Sequence, residues 1–162
     1  MCYLRAVKSY KNTNDPQRSF VTAYVEKHSQ KNQFFNDVKK IINWNEIDDD
    51  LKKVYKIGLT DKGAKAYSPL LLFKMHLISV WYDLSDIQTE TMVNDSLSAI
   101  KFCDLTLEDN VPGHSTLSRF KKELTDQGAL ENIFEKINDQ LIAKNLKIIK
   151  GHAKVDARLT SN

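Results

Sequence analysis

Glycine and proline are scarce, five and three in 162 residues. A turn-rich β-sandwich or barrel needs many more, so the count favours helices. Cysteine is scarcer still. Cys2 and Cys103 lie far apart and form no C-x-x-C pair, which excludes a disulfide scaffold or a zinc ribbon and suits a reducing cytosol. Long apolar runs are missing too. The longest, around residues 70–81, is broken by Lys74, His76 and Ser79. At about a dozen residues it falls short of the roughly 20 that a membrane span needs. The opening MCYLRAVKSYKNTNDPQRS lacks the apolar centre of a signal peptide. These absences predict a cytoplasmic protein with no membrane partner.

What is present is a globular composition, 41% hydrophobic and 28% charged. A chain of this length buries enough surface to fold without a metal or disulfide. Its net charge of +3 is unevenly spread. Residues 1–65 carry thirteen Lys/Arg against eight Asp/Glu, residues 66–113 two against seven, and residues 114–162 nine against six. An acidic middle between basic flanks narrows where a polyanion could dock. Solvated helix faces explain the same pattern more simply until a motif argues otherwise.

Residues 1–17 read as a polar, poorly ordered leader, and residues 18–145 as one helical domain. Phe34, Phe35, Val38, Ile41 and Ile42 fall on one helical face, with a further helical stretch expected at 51–55. The stretch KIGLTDKGAKAYSP reads as a loop, and Lys52, Lys53, Lys56, Lys62 and Lys65 make this region the most basic. Ser68-Pro69 marks the start of a helix over 69–83, apolar almost all round and therefore central to the core. Ser85 and Ser96 are expected to cap helices at 86–95 and 97–103. Ser115 is expected to cap a helix at 116–126, ended by Gly128, and the apolar spacing of 130–145 is the clearest helical pattern. From 146 the pattern alternates with period two and reads as an isolated strand or hairpin with poor packing.

Several catalytic readings fail on their spacing. Gly58 to Lys65 superficially resembles a phosphate loop, but Ala64 separates Gly63 from Lys65 and no Ser/Thr follows directly. His28, His76, His114 and His152 have no ligand spacing, and no serine sits in G-x-S-x-G. His76 reads as core, and Trp44, Trp81 and Tyr82 as core or interface, rather than as ligand-binding groups. The 116–126 helix is more informative. It turns Leu117, Phe120 and Leu124 inward and leaves Ser118, Arg119, Lys121 and Lys122 outward. A short capped helix with a basic outer face is what a helix-turn-helix element presents to the major groove.

Three further stretches carry a resemblance. They are Tyr67-Ser-Pro-Leu-Leu-Leu-Phe-Lys-Met running into Val80-Trp-Tyr-Asp-Leu-Ser-Asp86, then Asn94-Asp-Ser-Leu-Ser98 with Val111-Pro-Gly-His-Ser-Thr-Leu-Ser-Arg-Phe120, and finally Val155-Asp156-Ala157. In order and spacing they resemble the N-terminal region of the insertion-sequence family-five DDE transposases. Gly113, Lys154 and Arg158 depart from that pattern. The resemblance implies an all-α domain with a helix-turn-helix-like element, followed over 146–162 by the start of a truncated ribonuclease-H-like core. It implies DNA transposition, with double-stranded DNA at transposon ends as partner, and self or a full-length transposase as a further one. No small-molecule substrate is implied. The expected DNA-binding residues are Ser115, Arg119, Lys121, Lys122, Lys52, Lys53, Lys56, Lys62 and Lys65. A small helical interaction or regulatory module without any nuclease role remains the alternative.

Asp156 matches the first of the three catalytic carboxylates in that family, whose complete core implies Mg2+. The residues after it, Ala157 to Asn162, include no acid. Two-metal phosphate chemistry needs several carboxylates around hard cations, and one exposed acid binds magnesium weakly. The 162-residue chain alone is therefore expected to leave end-matched duplex DNA uncut in magnesium or manganese. Cleavage that disappears in an Asp156→Ala variant would overturn this expectation.

Overall fold

The computed structural model describes residues 33–57, 65–149 and 152–155. The expected leader at 1–17, Lys62 and Asp156 lie outside them. Among the described residues the chain forms seven helices and one two-stranded hairpin.

The first two helices, α1 (Gln33–Ile41) and α2 (Trp44–Val54), meet at a sharp break. Asn43 makes it: its side chain accepts the Glu46 N–H at 3.5 Å, and its own N–H is taken by Gln140 Oε1 at 2.7 Å. The expected helix at 34–43 is therefore shorter. Asp48, Asp49 and Asp50 belong to α2, which starts well before the helical stretch expected at 51–55. A good N-cap with Glu46 in the first turn explains why a helix restarts here.

Next come α3 (Pro69–Tyr82), α4 (Asp86–Asp95) and α5 (Leu97–Phe102). Ser68 stands at the N-cap of α3, although its side chain makes no capping bond. Asp83 ends α3 in the left-handed region, φ 55°. Ser85 and Gln88 then form a reciprocal capping box, with bonds of 2.9 and 3.2 Å. Ser96 caps α5 by accepting the Ala99 N–H at 3.2 Å. The pair α6 (His114–Asp126) and α7 (Ala129–Ala143) is joined through Gly128 at φ 64°, where a side chain would be strained. Finally β1 (Leu146–Ile149) pairs antiparallel with β2 (His152–Val155), Leu146 opposite Val155.

These helices form a compact all-α domain around α3, which packs on α2, α4 and α6. The other contacts close the bundle: α1 lies on α5, and α7 on α6 and α2. The hairpin is not isolated as expected, since β2 runs alongside α1 and β1 alongside α7. Every residue of α3 from Leu71 to Ser79 is buried, Lys74 and His76 included. A helix apolar all round has no solvent face to offer, so it takes the centre. Phe73 meets Phe134 edge-on at 5.8 Å, and Trp81 meets Phe34 edge-on at 5.3 Å.

Trp44 is half-buried and packs against the core. Its Nε1–H donates to Lys39 O at 2.9 Å, and its ring meets Phe102 at 5.6 Å. Truncating Phe73 or Trp81 to Ala is expected to cost about 3–5 kcal/mol each in urea unfolding. A cost below about 1 kcal/mol for both would remove α3 from the centre.

Candidate nucleic-acid interface

The inner face of α6 is set by Leu117, Phe120 and Leu124, all fully buried. Turned the other way on successive turns are Ser115, Ser118, Arg119 and Lys122, all exposed. Arg119 donates from Nε to the Ser115 carbonyl at 3.3 Å and makes no ion pair among the described residues. Lys122 bonds Asp126 one turn on at 2.6 Å, but its side chain remains 75% exposed. An exposed i,i+4 pair of this kind contributes only tenths of a kcal/mol, so it yields readily to a phosphate.

Two expectations for this helix are corrected. Ser115 is not its cap. The helix begins at His114, Gly113 holds the N-cap position without a side-chain bond, and Ser115 lies in the first turn. The cap comes from α4, where Glu90 Oε2 accepts the His114 backbone N–H and its Nδ1, each at 2.7 Å. Those bonds hold the Glu90 carboxyl below its usual range, the backbone one most strongly. Lys121, in turn, is not an outward cation. It is half-buried and paired with Asp86 in the first turn of α4. The acidic middle thus does not simply turn away from α6. Asp86 and Glu90 are structural partners of that helix.

The lysine-rich stretch divides similarly. Lys52 pairs with Asp48 at 2.5 Å and Lys53 with Asp50 at 2.8 Å, both along α2. Lys56 donates to the Lys52 carbonyl at 3.1 Å, satisfying the open end of the helix. What brings this end to α6 is Tyr55, buried edge-on against Phe120 at 5.0 Å. Burial pushes the Tyr55 phenol up, and the nearby Arg119 charge opposes that shift. Lys56 follows the end of α2 and is exposed, as is Lys65 before α3. The connector before α6, residues 103–113, is longer than the three to four residues of a tight helix-turn-helix. Among the described residues no three His, Cys, Asp or Glu side chains come together as a metal site. No helix among them is long and apolar enough to cross a membrane.

Over residues 23–123 the chain matches the family model described as Transposase domain (DUF772). The chain belongs to that family. The matched stretch takes in α1 to α5 and ends at Glu123 inside α6, so the outward residues Ser115, Ser118, Arg119 and Lys122 all fall within the transposase domain. No solved structure matches the chain.

Sequence reasoning missed Glu90, Asp86 and Lys74. The first two face α6 from a helix 24 and 35 positions away from their partners. The only local hint was a glycine where a capping side chain was due. Lys74 lay inside the apolar helix of the transposase domain and is buried against Asp104, with Nζ 4.6 Å from the Trp44 ring centre.

His76 is the core residue it was expected to be. Its Nδ1 lies 3.3 Å from Ser79 Oγ and its ring packs edge-on against Phe134 at 5.4 Å. Burial, then the Lys121 charge, lowers its pKa to about 4 from 6.5. Between those values the unfolded chain binds the proton and the folded one does not. Stability is therefore complete above pH 6.5 and falls as the pH drops toward 4, by roughly 3 kcal/mol in all. Asp104, Asp50 and Glu90, all lowered, begin to add their losses as the pH nears ordinary carboxylate values, at the low end of this window and below it. The unfolding free energy is expected to slope between pH 6.5 and 4.5, with His76→Gln flattening it. An equal slope in that variant would reject the assignment.

Proposed function

We propose that this chain is the DNA-binding N-terminal part of a DDE transposase of the insertion-sequence family-five kind, recognising transposon ends during DNA transposition. The observation that carries the reading is the outer face of α6. Four polar residues, two of them cationic, project on successive turns with no large apolar side chain among them. A helix of this kind, held by its opposite face, suits the major groove in a helix-turn-helix-like arrangement. Cations facing phosphate supply most of the affinity, and release of counterions makes it salt-dependent. Ser115 and Ser118 suit phosphate or base-edge contacts of either kind. Along the sequence, Lys62 and Lys65 belong to the same lysine-rich stretch as Lys56. End recognition, rather than strand cleavage, is the role proposed for these helices.

The test is duplex binding across a salt series. Replacing Arg119 and Lys122 together by Ala is expected to weaken binding and flatten the log–log salt slope by roughly 0.9 for each phosphate no longer neutralised. Lys121→Ala is expected to leave that slope nearly unchanged and to lower stability instead, because Asp86 loses its partner. An unchanged slope in the Arg119/Lys122 variant, or a chain that binds protein but no duplex, would overturn the proposal and favour an interaction module.

A further inference from the structure

The first turn of α6 presents a problem in elementary helix chemistry. Its N-cap is Gly113, which has no side chain to accept from the free N–H groups of that turn. Ser and Asp usually do this work, and replacing them costs a helix measurably. Here the acceptor arrives from another helix. One oxygen of Glu90, on the second turn of α4, takes both donors of His114 at 2.7 Å. A Cβ built on Gly113 would point toward the same carboxylate, with both oxygens at 4.0 Å. The seat that a local capping side chain would fill is thus occupied by Glu90.

We infer that Glu90 is a positioning residue for the proposed DNA-facing helix, a cap delivered from α4 that fixes the start and the angle of α6. A local cap would tie α6 only to its own connector. A cap on α4 ties it to the helix that also holds Lys121 through Asp86. These two ties lie on successive turns of α4 and about two turns apart on α6, which is enough to stop α6 from pivoting on its buried face. The orientation of Ser115, Ser118 and Arg119 then depends on a carboxylate that never needs to touch DNA. This inference rests on the reading of α6 as the DNA-facing helix.

Glu90→Ala, Glu90→Gln, Gly113→Asp and the double variant Glu90→Ala/Gly113→Asp test it in the whole chain. Glu90→Ala is expected to lower the melting temperature by about 2–4 °C. It should also weaken duplex binding by roughly three- to tenfold. The direction is diagnostic, because removing a carboxylate that acted only as a nearby negative charge would strengthen DNA binding instead. Glu90→Gln keeps an acceptor oxygen and should retain most of both properties. Gly113→Asp alone crowds two carboxylates and should not stabilise, whereas in the Glu90→Ala background it should restore both melting temperature and affinity.

Tighter DNA binding by Glu90→Ala, or no rescue by Gly113→Asp, would overturn the inference. So would a stabilisation by Gly113→Asp that is the same with or without Glu90. If the unaltered chain binds no duplex, the DNA reading and the positioning role fall together. Melting-temperature rescue would then decide the cap by itself.

Discussion

A buried ammonium organises this domain. Lys74 lies in the middle of α3, the helix that every other part of the bundle is built around, and only 1% of it reaches solvent. Burial lowers its pKa, and the Asp104 carboxylate opposes that shift. A charge so placed is tolerated only when it is paired and its remaining surroundings are favourable. Asp104 provides the pair, and the Trp44 and Phe102 rings lie 4.6 and 5.6 Å from Nζ. Asp104 adopts φ 57° to do so, and Lys39 joins it from α1 while donating to the Lys101 carbonyl at 3.0 Å. Meeting the needs of one lysine thus fixes α1, α2, α3 and the end of α5 relative to one another.

The proposed DNA-facing helix, α6, is held by the same logic. Phe120 anchors it to Tyr55, Lys121 to Asp86 and His114 to Glu90. These contacts use its inner face, one flank and its start. What remains is a strip of exposed polar residues whose only bonds among the described residues run within α6 itself, and that suits a surface for a partner. The acidic composition of the middle segment has a matching explanation. Its carboxylates are placed where α6 and α3 need counter-charges and caps, so the segment's negative charge is partly consumed inside the fold.

Much of this architecture was readable from local signals. Ser68-Pro69, the Ser85–Gln88 box, Ser96 and Gly128 mark helix ends through bonds or dihedrals that involve residues at most a few positions apart. The apolar spacing of α6 named its buried face correctly, down to Leu117, Phe120 and Leu124, whereas in α7 it held for Ile133, Ile137 and Leu141 but not for Ile142, which is exposed. The start of α2 was missed because Asn43 is an unremarked polar residue until Glu46 turns back on it. Ser115 was mistaken for a cap because serine is the usual one, and nothing nearby announces that a glutamate 24 positions earlier does the work.

By itself, the sequence determined an all-helical domain centred on residues 69–82, with a polar and basic face on the helix that follows Gly113. Hydrophobic period, caps and glycine conformations act within a turn or two, so they survive in one dimension. Only the tertiary structure decided which charges are available. Lys121 and Lys122 are neighbours of identical type, yet one is a strut to Asp86 and the other faces water, because a step of one residue rotates a helical side chain by about 100°. An ion pair depends on what lies across the gap, and the residue that supplies the partner is 35 positions away for one lysine and four for the other.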